Sequence, residues 1–156
     1  MRLSEFLSQS PLYDDLSGSD IDTLEQIMMV RDYHDGHQFF GERSRAESVY
    51  LLMSGEVSVT ARGRGSRGAA EIKRMKPGEL FGLVALIGHE RRSASCRAVG
   101  PVTAASLPRS AFDLLFESNS PLPQHFRLVV ARQLARDTRS LLDELRREIF
   151  SQAQSA

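Results

Sequence analysis

Two adjacent arginines close a stretch that opens on a glycine: residues Phe81 to Ala94 read FGLVALIGHERRSA. The run after Gly82 is too apolar for a surface loop, yet too short and glycine-bounded for a full helix. A single helical turn buried against a larger structure is expected. Gly82 at its start lets backbone approach a bound molecule closely. The first N–H groups of such a turn lack an intrahelical partner and carry partial positive charge, so they favour an anion. Arg92 follows at a distance that lets the chain turn back and bring a guanidinium beside those groups. A guanidinium fork with backbone donors suits a phosphate bearing one negative charge. Ser93 adds a hydroxyl and another N–H. Paired arginines ahead of a strand also occur as solvated surface charge, and the residues alone leave both readings open.

The elements that would position this stretch are legible on either side. Ser19 to Arg31 carries Ile21, Leu24, Ile27 and Met28 at helical spacing, with Ser19 or Asp20 as a candidate N-cap. From Asp32 the pattern changes. YHDGHQFFGERS breaks at Gly36 and Gly41, and SVYLLMSGEVSVTA is rich in β-branched and aromatic residues around a Ser-Gly turn. RGRGSRGAA (62–70) reads as the solvated tip of a hairpin, KPGELFG marks another turn, and SASCRAVGPVTAASLP reads as two short strands around Gly100-Pro101. Turn signals at these intervals suit an antiparallel barrel or jelly roll.

The helical period returns after Pro108. RSAFDLLFES is a short helix with Ser110 as a candidate cap, and SPLPQ breaks the chain. From 122 to 150, Phe126, Val130, Leu134, Thr138, Leu141, Leu145 and Ile149 fall three or four apart on one stripe. Such a stripe either packs on its own domain or, given its length, leaves the domain and pairs with a second copy. The expected architecture is α+β: an N-terminal helix, an antiparallel β-roll (1–121, with the glycine-arginine stretch at 78–94), a long C-terminal helix (122–150) and a tail (151–156). A concave roll with a terminal helix over it suits a small-molecule site.

Composition narrows the function further. The chain has 156 residues, enough for one domain with a core. Twenty basic and twenty acidic side chains cancel, so no global field draws nucleic acid or anionic membrane. A single cysteine, Cys96, excludes an internal disulfide and favours a reducing cytoplasm. The start lacks the pattern of a signal peptide, and no apolar run approaches the ~20 residues needed to span a bilayer. His34 and His37 sit in a turn-rich segment and read as surface histidines rather than metal ligands. No serine, cysteine or carboxylate pair shows nucleophile-and-base spacing, so a non-enzymatic protein without catalytic cofactor or metal is expected. After Phe150 only SQAQSA follows, too little for a helix-turn-helix, so no direct DNA reading is expected.

The 81–94 stretch resembles the phosphate-binding cassette of the cyclic nucleotide-binding domain family. That cassette runs F-G-E-(aliphatic)-A-L-(aliphatic), a few variable residues, then R-(S/T/A)-A. Phe81, Gly82, Val84, Ala85, Leu86, Ile87, Arg92, Ser93 and Ala94 match it without a gap. LYDDLSGSDIDTLEQI resembles the family's entry helix, and YHDGHQFFGERSRAESVYLLMSGEVSV its first strands, so the resemblance covers 12–149. It implies that Arg92 grips a cyclic phosphate while Ser93 and the backbone of Gly82, Leu83, Val84 and Ala85 complete the cradle. It also implies that Asp137 and Thr138 face the purine of cyclic AMP or cyclic GMP.

One position departs. Where the family has a glutamate that accepts the ribose 2′-hydroxyl, this chain has Leu83. A hydrogen bond to a charged group is worth ~1.5–3 kcal/mol. Its loss weakens cyclic AMP roughly ten- to a hundredfold or more. Glu79 lies four residues upstream, before the cassette turn, away from that role. Weak nucleotide binding, another anion and no ligand at all remain open. The expected function is a cytoplasmic sensor domain, dimeric through 122–150 and read by an effector protein. The alternative is a domain without ligand that serves as a dimerisation or docking module.

Overall fold

The computed structural model of the chain describes residues 1–63, 68–117 and 121–155. Two short segments lead in, helix α1 (Leu3–Gln9) and a 3-10 turn (Pro11–Tyr13), followed by helix α2 (Gly18–Ile27). Helix α2 starts earlier than its apolar spacing suggests. Ser17 Oγ accepts from the Asp20 amide at 3.1 Å and Asp20 Oδ2 accepts from the Ser17 amide at 2.8 Å, a reciprocal capping box. The cap is therefore Ser17, not Ser19 or Asp20. The helix also stops short of Arg31, because Met29–Tyr33 is taken up as strand β1 against β6.

Strands β2 (Gln38–Phe40), β3 (Ser48–Arg62), β4 (Ala69–Met75), β5 (Leu80–Phe81) and β6 (Ser95–Pro108) complete an antiparallel roll. Strand β6 pairs with β1, β2 and β3, while β3 also carries β4 and β5. Two features read from the sequence as turns are bends inside long strands. Ser54-Gly55 does not end a strand, and Gly100-Pro101 does not separate two. The strands bend together at this level: the β3–β6 register shifts between Leu52 and Glu56, and both Gly55 (φ +87°) and Gly100 (φ +73°) are left-handed.

That bulge reverses the inside and outside of β3. Before it, Val49 and Leu51 face a core under the helices, while Leu52 faces a second core within the roll. With strict alternation an odd position such as Val57 would return to the helix side. The extra residue flips the parity, and Val57 lines the roll core with Phe81, Cys96, Ala98, Val102 and Ala104. The hairpin between β3 and β4 pairs as far as Arg62↔Ala69, and 64–67 lie outside the described residues.

The helix-side core takes Leu3, Leu7, Ile21 and Leu24 from the N-terminal elements and Leu83, Ala85 and Leu86 from helix α3 (Leu83–Gly88). Helix α4 (Arg109–Glu117) adds Phe112 and Leu115. It starts directly after β6, so Ser110 lies within it rather than capping it. Helix α5 (Pro121–Ser155) adds Phe126, Val129 and Val130. Pro121 and Pro123 do not break the chain; they occupy the first turn of α5, where a missing N–H costs no helical bond. At the other end 151–155 are helical rather than a tail, since nothing in SQAQS stops a helix. Only the first part of α5 packs on its own domain, and from Thr138 to Gln154 every residue is exposed.

A methyl group on Gly55 would stand 2.4 Å from the Pro101 carbonyl oxygen, on a backbone already left-handed. Gly55→Ala should therefore lower the unfolding free energy by about 2–4 kcal/mol. Urea denaturation would show it as a reduced midpoint at unchanged slope; a midpoint equal to wild type would mean that the bulge relaxes freely.

Candidate functional site

The cassette is built where β5 leaves the roll. Leu80 and Phe81 pair with Leu51 and Tyr50 of β3, and Gly82 turns the chain with φ +80° into α3. A Cβ at 82 would lie 2.7 Å from Arg92 Nη1 and 3.0 Å from Phe40 Cε1, so glycine is required by both backbone and space. After α3 the chain reverses through His89, also left-handed at φ 52°. It is then stitched to the loop following β2. The Arg92 amide donates to Ser44 O at 2.9 Å, the Arg43 amide donates to Arg92 O at 2.7 Å, and Arg45 pairs with Arg91 as a β-bridge.

This stitching aims the Arg92 side chain inward. Its residue is 4% exposed. Nη1 donates to Gly82 O and Nη2 to Ser48 O, each at 2.6 Å, and Cζ stands 3.8 Å over the Phe40 ring. Nε is buried without a partner. Among the described residues no carboxylate forms an ion pair with it. Burial lowers the Arg92 pKa, with the nearby Tyr50 and Cys96 acting in the opposite sense. Burial likewise pushes the Cys96 thiol up to about 12, so it is a neutral packing group. Phe40, Tyr50, Phe81 and Phe39 form one ring cluster beside the guanidinium, with Tyr50 stacked on Phe81 at 5.1 Å.

The expected site residues divide on this geometry. Gly82 and Arg92 meet, with Arg92 engaging the glycine's carbonyl. Ser93 is exposed and next in chain. Val84 is 58% exposed, whereas Ala85 and Leu83 point into the helix-side core, Leu83 at 4% exposure. The position where the resemblance expects a glutamate is occupied here by a core side chain. Asp137 and Thr138 are not joined to Arg92 or Gly82 by any hydrogen bond among the described residues. Asp137 Oδ1 takes Lys73 Nζ at 2.8 Å and Gln133 Nε2 at 3.1 Å, and Thr138 Oγ1 donates back to Leu134 O at 2.9 Å. Glu79 is occupied too, with Oε2 on the Lys76 amide at 2.7 Å and Oε1 3.3 Å from Lys73 Nζ.

Sequence reading missed Phe40, the Ser48 carbonyl, Lys73 and Gln133. Gln133 is 1% exposed, and its Oε1 accepts from the Leu80 amide at 3.3 Å, so the helix touches the cassette strand through an amide. A lone glutamine between apolar helix positions carries no sequence signal for that contact. Of the histidine pair, His37 packs on Tyr33 and Phe39, and no group of three metal-ligating side chains occurs among the described residues.

Comparisons with known proteins bear on the family and the fold. The family model described as the cyclic nucleotide-binding domain matches residues 30–119. The chain belongs to the cyclic nucleotide-binding domain family. It is 31% identical over 116 residues to a cGMP-dependent protein kinase of Caenorhabditis briggsae, covering 73% of this chain and 15% of the kinase. It is 24% identical over 141 residues to a CRP-like cAMP-activated global transcriptional regulator of Mycobacterium tuberculosis, covering 90% of this chain and 62% of the regulator. The chain thus spans less than two thirds of these relatives' length. The crystal structure of a cyclic nucleotide-binding domain from Methylobacillus flagellatus superposes with a TM-score of 0.80 at 24% identity, over 92% of this chain and 80% of that one. In this family the domain is a regulatory binding module. No helix among the described residues is long and apolar enough to cross a membrane.

Restoring the family's carboxylate at position 83 should come at a cost, because the side chain there faces apolar neighbours. Leu83→Glu is expected to melt well below Leu83→Gln near neutral pH, since burial disfavours the charged form. Burial raises the folded-state pKa of that glutamate, so the deficit is present above the unfolded value of about 4.3 and shrinks as pH falls. Thermal melts of both variants across this range check it. A pH-independent difference would show that the side chain turns out to solvent instead.

Proposed function

We propose that this domain senses a small phosphate-bearing ligand of the cyclic nucleotide class, with Arg92 as the group that captures it. The observation that carries this reading is a buried guanidinium with an unpartnered Nε and, among the described residues, no ion-paired counter-anion. An ion taken from water into a protein interior costs several kcal/mol unless it is paired. Two carbonyl dipoles and one aromatic face offset part of that cost. An oxyanion is a stronger acceptor than either carbonyl and would draw the fork toward itself. Ser93, next to Arg92 in the chain, and the amides of Leu83, Val84 and Ala85 in the first turn of α3 are the further donors on this reading.

The ligand-linked change has a route. Freeing Gly82 O loosens the cassette strand, and Leu80, two residues before Gly82, is bound to Gln133 on α5. Lys73 bridges Glu79 at the cassette entry to Asp137, also on α5. A ligand that prefers one setting of these contacts shifts the helix, and one that binds both settings equally shifts nothing. Downstream, the exposed stripe of Leu141, Leu145 and Ile149, flanked by Leu142 and Phe150, is proposed to pair with a second copy and present the change to an effector. The chain acts by binding, without a catalytic step of its own.

A second reading rests on the same guanidinium. Its two 2.6 Å bonds to Gly82 O and Ser48 O, with Leu83 packed in the core, describe a cross-link that holds the cassette closed with no ligand. On that reading the domain is a dimerisation or docking module.

Calorimetry with cyclic AMP and cyclic GMP separates the two. The sensor should give saturable heat with at least one nucleotide. Arg92→Lys, which keeps the charge but loses the planar fork, should weaken it about tenfold or more. No heat for wild type up to millimolar nucleotide would leave the module reading. The dimer is checked separately by sedimentation. Leu141→Glu with Leu145→Glu should give a monomer while the melting midpoint of the domain stays within a few degrees, because neither residue packs on the roll.

A further inference from the structure

A second cationic pocket, of about 470 Å³, opens on the other side of Arg91. Three separate segments build it. Arg45 comes from the loop after β2, Arg91 from the chain leaving α3, and Arg109 from the first turn of α4, with His89, Glu47 and Glu90 also lining the space. The framework is held rather than loose. Arg45 and Arg91 are bridged backbone to backbone. Arg109 Nε donates to Ala46 O at 2.8 Å, and its Nη1 reaches Leu86 O at 3.5 Å and His89 Nδ1 at 3.1 Å.

None of the three arginines forms an ion pair with a carboxylate among the described residues, although Glu47 and Glu90 line the same pocket. Like charges gathered around one pocket and not ion-paired favour an anion between them. We propose that this pocket is an oxyanion site separate from the Arg92 cradle, and that it takes a phosphate group. Guanidinium forks match the planar, multi-oxygen edge of a phosphate and hold it by paired N–H bonds. The two glutamates disfavour a long acidic segment laid across the opening, while a compact dianion can sit among the arginines. The site is open to water, unlike the buried Arg92, so its affinity falls with added salt. It is also mechanically next to the cassette. Ser44 and Arg43, flanking Arg45, hold the Arg92 backbone from the same loop.

Free phosphate and phosphate carried on a protein side chain share this chemistry, and the test distinguishes the two sources. Backbone amide chemical shifts of the intact chain are followed against inorganic phosphate and against a phosphoserine peptide, at low and at moderate salt. Saturable shifts around Arg45, Ala46 and Arg91 are expected. They should weaken about tenfold or more in the double variant Arg45→Gln, Arg91→Gln, whose side chains are exposed; the backbone bridge between them is kept, and only a 3.3 Å bond from Arg91 Nη1 to Arg43 O is given up. Saturation by inorganic phosphate alone assigns a free anion, and tighter saturation by the peptide assigns a phosphorylated partner. The proposal is overturned if neither probe saturates, or if the double variant responds as wild type does. Nucleotide calorimetry on the same double variant should match wild type, so failure of the Arg92 reading and failure of this pocket give different results.

Discussion

The Arg92 guanidinium is the contact on which the surrounding structure depends. It joins Gly82, the turn into α3, to Ser48, the start of the longest strand, and it does so from inside the protein. Several features follow from seating that one group. Position 82 must lack a side chain. Phe40 must offer a ring face, and the loop 43–44 must clamp the backbone so that the side chain points inward rather than to water. A buried cation at an aromatic face gains on the order of 2 kcal/mol or more when desolvated, and each charge-assisted hydrogen bond adds ~1.5–3 kcal/mol. Those terms are of the same order as the several kcal/mol lost on leaving water. The balance is close, so an added oxyanion has leverage on the whole cassette.

Leverage matters only if it reaches another element. The link from cassette to α5 is polar where most helix packing here is apolar. Gln133, fully buried, places its carbonyl on the Leu80 amide and its amide on Asp137, and Asp137 meets Lys73, which also meets Glu79. The Lys73 pairs are partly exposed and individually worth little, about 0–1 kcal/mol each. The Gln133 contacts are buried and directional, so a small movement of β5 leaves an amide unsatisfied at a cost of about 1–3 kcal/mol. Apolar contacts from Phe126 and Val129 hold the helix down, while Gln133 registers where the cassette strand sits. At Thr138 the helix leaves the domain surface, and the residues from there to Gln154 are exposed.

Much of this was legible in the residues, and the reasons for the exceptions are physical. The cassette is local: a glycine turn, one apolar helical turn and an arginine within fourteen residues fix one another, so spacing alone exposes them. The roll was legible as a class, but its turns were not placed correctly. Glycine marks both the end of a strand and a bulge within one, and only the partner strand decides between them. Gly55 and Gly100 lie where the β3–β6 register shifts, with Gly55 packed against the Pro101 carbonyl, a pairing that no single stretch contains. The cap of α2 was missed for a related reason, since Ser17 and Asp20 satisfy each other and the apolar spacing begins only later. Asp137 was singled out for a ligand, yet its geometry is set by Lys73, sixty-four residues away in sequence.

Leucine at 83 changes more than one hydrogen bond. In a one-turn helix the residue after the glycine can face the ligand or the core, and an apolar side chain gains by choosing the core. Burying a leucine is worth about 1.5–3 kcal/mol, comparable to the charged hydrogen bond it forgoes. On the proposed reading, leucine here moves free energy from ligand affinity to the packing of the cassette, which Leu83 supports from beneath while Arg92 pins it from the side. On the proposed reading, Arg92 sets the chemistry of the ligand, and the buried Leu83 sets how tightly its phosphate must be held to compete.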